Sequence, residues 1–573
     1  MVKEEETEEN CEEMEVDEDS KVNVVKLETK NKTLTAAEVL NRFSRYAHGN
    51  LEYYQLCKVW RQVGNWREEV KINFISDFFG TSDVFNQRFV EMVSSICELR
   101  WYHVPESIRP KFVDFLVEIA LYNTVHAHLI ARACVSNFIP TIERRVNEQT
   151  GLVELVPSIP VDEQEPVFLL CIAAINRLFP RSSLTLHVLL SSVRRFKPHK
   201  KGGLEETVNF IRLSMILADH YPTIGGELWS GIIECMLILD SEVSQDMKFQ
   251  LHDIRQIFPK NETEFEFSVD SEMLYKQKLN AAMLMFLCCT SRGPNPEDSP
   301  YTKWMVGWQH ESDLYSILLH ALDTQILWVQ ESENVPFVWF YLCSLDQEIL
   351  SLFLQHMWKV VITPVRVPNE WKRAQTAAAL ISGLLARANF VSFEMVVEWL
   401  RRMADWCTSY VDKAGQVKTS AGAHHSTFYA TVQALFFTFC FRYKEFIDAE
   451  MLDEIRVWGI GKLVHSQLEP LNFVYKPLAM CFASISRYMQ IVYCNHIISM
   501  TAERDVVAYF PFLRCGLVSC QPFIQPLLRS FVPADEDFGT IEVVRSRRTT
   551  ETMIDENYEY AWMDDGIDVS DYI

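Results

Sequence analysis

Glycine is scarce in this chain, 19 among 573 residues, and none forms the Gly-rich turn that opens a dinucleotide-binding fold. No His-Glu-x-x-His helix and no Gly-x-Ser-x-Gly elbow is present, so hydrolytic chemistry lacks its minimal geometry. Gly459-Ile460-Gly461-Lys462 approaches a phosphate-binding loop. However, Arg456 stands where the first glycine is needed, and Leu463 replaces the hydroxyl residue that would hold magnesium. Helix or turn chemistry explains it better. Metal-ligand spacing is also missing. Cys288 and Cys289 are adjacent and so face different ways on a helix, and Cys515 with Cys520 has no second pair of ligands. His126 with His128, and His424-His425, are lone pairs beside loops, where hydrogen bonding or solvation is the usual state. No catalytic residue, cofactor, metal or small-molecule substrate is therefore assigned. Apolar runs such as 281–289 and 377–386 are about ten residues long, against the roughly 20 that cross a bilayer, and no membrane span is expected.

The start, Met-Val-Lys-Glu-Glu-Glu, has neither a signal peptide's apolar core nor a mitochondrial leader's basic character, which points to the cytosol or nucleus. Fifteen cysteines, spread from Cys11 to Cys520 within apolar stretches, suit a reducing compartment where thiols act as small hydrophobes.

The formal charge of −23 is unevenly placed. Residues 1–20 hold eleven acids against Lys3, and residues 551–573 hold eight acids with no base. These ends carry −18 of the total, so the long body is nearly balanced and has room for local basic patches. Like-charge runs at chain ends behave as solvated interaction tails.

The body reads as helix. Phe112, Phe115, Leu116 and Ile119 share one face, as do Phe168, Leu169, Ile172, Ile175 and Phe179. Similar periodicity covers 208–218, 228–239, 314–329, 337–361, 371–388, 391–410, 427–446 and 476–500. Prolines at 140, 180, 198, 222, 259, 336, 364, 368 and 470 fall between these segments, where a helix must stop. Helices of this length joined by short breaks imply pairwise stacking, so the expected fold is all-α: a HEAT-like α-solenoid of stacked helical hairpins. Disordered acidic tails are expected at 1–33 and 533–573, flanking a body at 34–532 with a sub-boundary near 290–303. The stretches 146–165, 261–269, 292–302 and 412–425 read as loops.

Two basic clusters stand out: Arg194, Arg195, Lys197, His199, Lys200 and Lys201, and then Arg366, Lys372 and Arg373 with Trp371. Either could meet phosphate through salt-sensitive, sequence-independent attraction. A solvated inter-helix turn is the plainer reading, and no recognition-helix module accompanies them.

Segment order carries further. Phe340-Tyr341-Leu342-Cys343-Ser344, then Phe353-Leu354-Gln355-His356-Met357-Trp358-Lys359, then Leu385-Ala386-Arg387-Ala388-Asn389-Phe390 appear in turn. The aromatic run from Phe428 to Arg442, Ser466-Gln467-Leu468-Glu469-Pro470-Leu471 and Tyr509-Phe510-Pro511-Phe512 follow. This set resembles the RNA polymerase I-specific transcription initiation factor family over 337–530, with looser similarity at 113–140 and 176–221.

The resemblance implies a HEAT-repeat factor that binds RNA polymerase I subunits and bridges them to promoter-bound initiation factors at ribosomal DNA. It implies a nuclear and nucleolar location, with shuttling to the cytoplasm. It also implies a serine-rich patch whose phosphorylation by regulatory kinases blocks association, at Ser182, Ser183, Thr185, Ser191 and Ser192. The family's basic segment, associated with weak non-specific DNA contact, corresponds to 358–373, where Lys359, Arg366, Lys372 and Arg373 are its basic residues. Two departures follow: Val518-Ser519-Cys520-Gln521-Pro522 stands where the family has a basic run, and its central acidic insertion is reduced to 240–246. The C-terminal end, with Ser546 and Thr549 behind arginines and Tyr558, Tyr560, Trp562 and Met563 among acids, suits a kinase-controlled segment that docks by its aromatics. A helical-repeat nuclear transport adaptor shares the same fold and acidity and is the alternative.

Overall fold

The computed structural model describes residues 27–29, 32–34, 36–45, 51–139, 142–146, 153–157, 159, 161–179, 183–246, 258, 274–290, 311–330, 332–364, 370–414, 425–498 and 508–531. The expected acidic ends lie almost wholly outside these residues, and so does most of the 290–303 stretch. The chain forms two compact units that divide between Lys197 and Pro198, in the turn carrying the first basic cluster. A boundary near 300 does not appear, because the helices on both sides of it pack on the same neighbour, the long helix Pro222–Asp246.

The first unit holds helices α1 (Ala36–Arg45), α2 (Leu51–Gln62), α3 (Glu68–Ser76), α4 (Val90–Glu98), α5 (Arg109–Tyr122), α6 (Ala127–Phe138), α7 (Val161–Leu178) and α8 (Ser183–Arg195). Its core is aromatic: Trp60 meets Phe78 at 4.9 Å, Phe85 meets Phe115 at 5.8 Å, and Phe138 stacks on Phe168 at 4.4 Å. Two expectations change here. Residues inside the expected N-terminal tail pair as a hairpin, β1 (Leu27–Thr29) with β2 (Lys32–Leu34). Part of the expected 146–165 loop is a second antiparallel hairpin, β3 (Ile142–Val146) with β4 (Val153–Pro157), in register Ile142 to Pro157 and Val146 to Val153. β-Branched residues favour such pairing even in short runs. Helix α7 then begins at Val161, ahead of Pro166.

The second unit runs through α9 (Leu204–His220), α10 (Pro222–Asp246), α11 (Leu274–Thr290), α12 (Glu311–Thr324), α13 (Phe337–Leu345), α14 (Gln347–Ile362), α15 (Glu370–Arg387), α16 (Phe393–Ala414), α17 (Ser426–Asp448) and α20 (Lys476–Tyr488), with short α18 (Leu452–Val457) and α19 (Ile460–Val464) before the last. Consecutive helices pack as hairpins, α9 on α10, α14 on α15 and α16 on α17, and α15 lies along α17. This is the all-α, stacked-hairpin fold expected from the periodicity.

Three helix limits differ from that expectation. The 337–361 segment is two helices because Asp346 caps the second, its carboxylate accepting from the Glu348 amide at 2.8 Å. The 314–329 helix stops at Thr324 and continues as a 3-10 turn, Ile326–Trp328. The 476–500 helix ends at Tyr488, and Gln490 follows at φ 53. Among the described residues, Pro222–Val243 in α10 is long and apolar enough to cross a membrane, where no such run was expected. Over half of it is buried among neighbouring helices. Its Asp240 is wholly buried, so the supposed remnant of an acidic insertion begins with a core carboxylate.

A C-terminal strap, 508–531, closes the second unit. Buried Arg387 on α15 donates to the carbonyls of Phe512 at 3.2 Å, Leu513 at 2.8 Å and Arg529. The Phe512 ring packs between Phe337 at 5.5 Å and Phe340 at 5.0 Å. Tyr509-Phe510-Pro511-Phe512 is thus the strap's anchor. The departure at 518–522 is packed as well, since Ser519 and Cys520 hydrogen-bond Asn280 on α11.

Candidate functional site

Helix α8 buries Leu186, Leu189, Leu190 and Val193 on one face, spaced three and four residues apart. The opposite face therefore carries His187, Ser191, Arg194 and Arg195, with Thr185 at the edge of the buried stripe, all exposed. Ser191 Oγ donates to the Val188 carbonyl at 2.9 Å while remaining on the outer face. Ser192 differs: it is buried and donates to the same carbonyl at 2.8 Å, so the helix core takes it from the expected patch. Ser182, and the side chain of Ser183, lie outside the described residues. The accessible hydroxyls described are thus Ser191, one helical turn from Arg194 and Arg195, and Thr185, between two and three turns from them.

The first basic cluster is split by the boundary between the units. Arg194, Arg195 and Lys197 end the first unit. In the second, Lys200 Nζ lies 2.6 Å from Glu242 Oε1, and its carbonyl accepts from buried Lys278 Nζ at 2.7 Å. Burial pulls the Lys278 ammonium below its ordinary pKa. Lys201 is exposed.

The second cluster is partly neutralised from within. Asp323 on α12 accepts from His356 Nε2 at 2.9 Å and faces Arg373 at 3.5 Å. Arg373 also lies over the Trp328 ring at 5.4 Å. Lys359 is exposed on α14, and Lys372 lies 5.7 Å from the Trp371 ring. Arg366 falls outside the described residues, as do Ser546 and Thr549. Sequence reasoning missed the adjoining seam, where Trp358 on α14 meets Trp399 and Trp406 on α16 at 6.2 and 6.1 Å. Arg402 covers Trp399 at 4.4 Å. The available signal was the seven-residue spacing of Trp399 and Trp406, which puts both on one helix face.

Gly459, the start of the apparent phosphate loop, sits at φ 76 just after Trp458, the C-cap of α18, where a left-handed glycine ends one helix before α19 begins. Among the described residues, no group of three or more His, Cys, Asp or Glu could hold a metal ion.

Residues 73–535 match the family described as RNA polymerase I specific transcription initiation factor RRN3. The chain belongs to this family. The matched span takes in both the 337–530 resemblance and the looser segments before it. The chain is 30% identical over 562 residues to RNA polymerase I-specific transcription initiation factor tif-1A of Caenorhabditis elegans, covering 90% of this chain and 84% of that protein. It is 24% identical over 588 residues to RNA polymerase I-specific transcription initiation factor RRN3 of Mus musculus, covering 94% and 86%. The fold is that of the solved structure titled Crystal Structure of RNA Polymerase I Transcription Initiation Factor Rrn3, with a TM-score of 0.60 at 16% identity over 87% of this chain and 98% of that one. Members of the RRN3 family are transcription initiation factors and not enzymes, in keeping with the missing catalytic motifs.

Proposed function

We propose that this chain binds RNA polymerase I and bridges it to promoter-bound initiation factors at ribosomal DNA, under control of phosphorylation on α8. The family match over 73–535 carries the reading, since it spans both units. The outer face of α8 supports the control step. A phosphate added to Ser191 brings about −1.5 to −2 charges within one helical turn of Arg194 and Arg195, and one on Thr185 adds the same charge near the start of the helix. That change converts a cationic helix face into an anionic or self-paired one, and a partner selected for the cationic face is lost. Regulatory kinases are therefore partners too. Lys201, Lys359 and Lys372 supply at most weak, sequence-independent DNA contact. Such a factor works in the nucleus, concentrated in the nucleolus and exchanging with the cytoplasm.

Co-purification tests this reading. Tagged chain should recover polymerase I subunits. T185D/S191D should lose most of that recovery and T185A/S191A should keep it. Equal recovery by the two variants would remove the phosphorylation control. Recovery of a small GTPase in place of polymerase would favour the transport adaptor.

A further inference from the structure

Helix α14 turns one stripe to solvent: Glu348, Leu352, Gln355, Lys359 and Ile362, at helical spacing. Leu352 is 46% and Ile362 43% exposed, which is high for large aliphatic side chains on a packed helix. Beside the stripe runs the tryptophan seam with α16, in which Trp358, Trp406 and Tyr410 keep part of their surface open. At the stripe's far end, α15 begins with half-buried Trp371 and Lys372. The surface is thus aromatic and aliphatic with cations set into it. Arg402 is paired with Glu398 at 2.8 Å and Arg373 with Asp323 at 3.5 Å. Among the described residues no ion pair engages Lys359 or Lys372, so these two charges face an incoming anion.

We propose that this surface docks the chain's own C-terminal segment, residues 551–573. Charge complementarity is the first reason. The segment holds eight acids and no base, and it interleaves them with Tyr558, Tyr560, Trp562 and Met563. Carboxylates meet Lys359 and Lys372 while the aromatic side chains cover Leu352, Ile362 and the open edges of the seam, burying apolar surface on both sides. The other acidic end, residues 1–20, has eleven acids but no aromatic residue, and so offers attraction without an anchor.

Reach is the second reason. The described chain ends at Phe531, packed on Phe441 at 5.6 Å and Tyr443 at 6.4 Å near the end of α17. Helix α16 starts at that same end, with Phe393 at 4.9 Å from Phe446. Trp399 lies six residues further along, about 9 Å at the helical rise. Residues 532–550 extend up to about 60 Å, several times the distance of one or two helix diameters that separates these points. A docked tail covers the surface that Lys359 and Lys372 would otherwise offer to an anionic partner, and so acts as a built-in competitor.

Carbodiimide cross-linking of the full chain at low concentration tests the contact. Lys359 and Lys372 should join to acids within 551–573, and the Y558A/Y560A/W562A variant should lose these links although every acid remains. A labelled peptide of residues 551–573 gives a second readout by fluorescence anisotropy. It should bind that full-length variant, whose own tail no longer occupies the site, at least about tenfold more tightly than the parent chain. K359E/K372E should bind it in neither background, with an unchanged melting curve because Lys359 is exposed and Lys372 half-exposed. Equal peptide affinity for parent and aromatic variant, cross-links spread over other lysines, or equal linking of residues 1–20 to Lys359 and Lys372 would each overturn the proposal. Links formed between isotopically heavy and light copies would overturn docking within one chain.

Discussion

Asp240 on α10 holds Asn334 by both its amides: Oδ2 accepts the Asn334 backbone N–H at 2.9 Å and Oδ1 its side-chain N–H at 2.8 Å. The same carboxylate takes the Ser332 hydroxyl at 2.6 Å and the Val335 N–H at 3.0 Å. Asn334 Oδ1 in turn accepts from Gly516 N at 2.9 Å, and Tyr509 donates to the Ser332 carbonyl at 3.1 Å. One buried carboxylate therefore orders the turn that starts α13 and, through Asn334, the strap.

Asp240→Ala leaves those buried donors without an acceptor, at about 1–3 kcal/mol for each unsatisfied group before relaxation. The chain should lose about 3–5 kcal/mol of stability, below the sum over the four donors because the turn relaxes. Denaturant unfolding followed by tryptophan fluorescence checks it, and a midpoint equal to the parent's would show that water replaces the carboxylate.

Gly383 makes a second, steric link to the strap. A Cβ added there would stand 2.6 Å from the Pro511 carbonyl oxygen and 3.0 Å from the Phe512 ring. Gly383→Ala must move backbone, so it should destabilise by about 1–3 kcal/mol and speed hydrogen exchange across 508–517. Gly461→Ala, whose Cβ meets nothing within 4 Å, should be neutral. Similar exchange in both variants would mean that the strap yields freely.

The contrast shows what was legible in the sequence. Helix positions followed from apolar spacing and proline breaks, because those are local properties. Tyr509-Phe510-Pro511-Phe512 was visible as a motif, yet its task was not, because Arg387 reaches Phe512 across 125 positions. Asp240 looked like one more acid in an acidic stretch, and only burial distinguishes it. The β3–β4 hairpin was hidden by its length and its prolines. The break in 337–361 had a readable sign, Asp346 two residues before Glu348, which the continuous apolar pattern overrode. Of the serine patch, the outward position of Ser191 follows once the period of Leu186, Leu189 and Val193 is laid down, whereas Ser192 lies at the edge of that stripe and only its packing shows it buried.

Burial also governs the thiols. Of the fourteen described cysteines, none in a disulfide, thirteen are buried. Desolvation pushes Cys57 and Cys288 up to about 11 and Cys289 up to about 12, from an ordinary 9.0. A folded-state pKa above the unfolded one means that the native protein holds more protons between the two values. Stability should therefore be flat below pH 9 and fall progressively as pH rises toward 11–12. With Cys11 replaced by Ser, a disulfide reagent at pH 8 should label few thiols in the native chain and all fourteen in denaturant. Rapid native labelling of several would contradict the packing.

Asp323 sets how much positive charge the second basic cluster presents. Its carboxylate faces Arg373 at 3.5 Å and His356 at 2.9 Å, with both Asp323 and Arg373 side chains a little over a quarter exposed. Solvent weakens such pairs, so their removal costs little stability, about 0–1 kcal/mol. Its effect on anion binding should be larger in proportion. Asp323→Asn removes a negative charge beside Arg373 while keeping the shape, and leaves the guanidinium over Trp328 to face solvent anions. The variant should elute from heparin at higher salt than the parent, with a steeper salt dependence of binding to non-specific DNA. Arg373→Gln in the same background should cancel the gain. If D323N elutes with the parent, Arg373 is held against Trp328 whatever its partner, and the cluster's affinity for polyanions rests on its other cations.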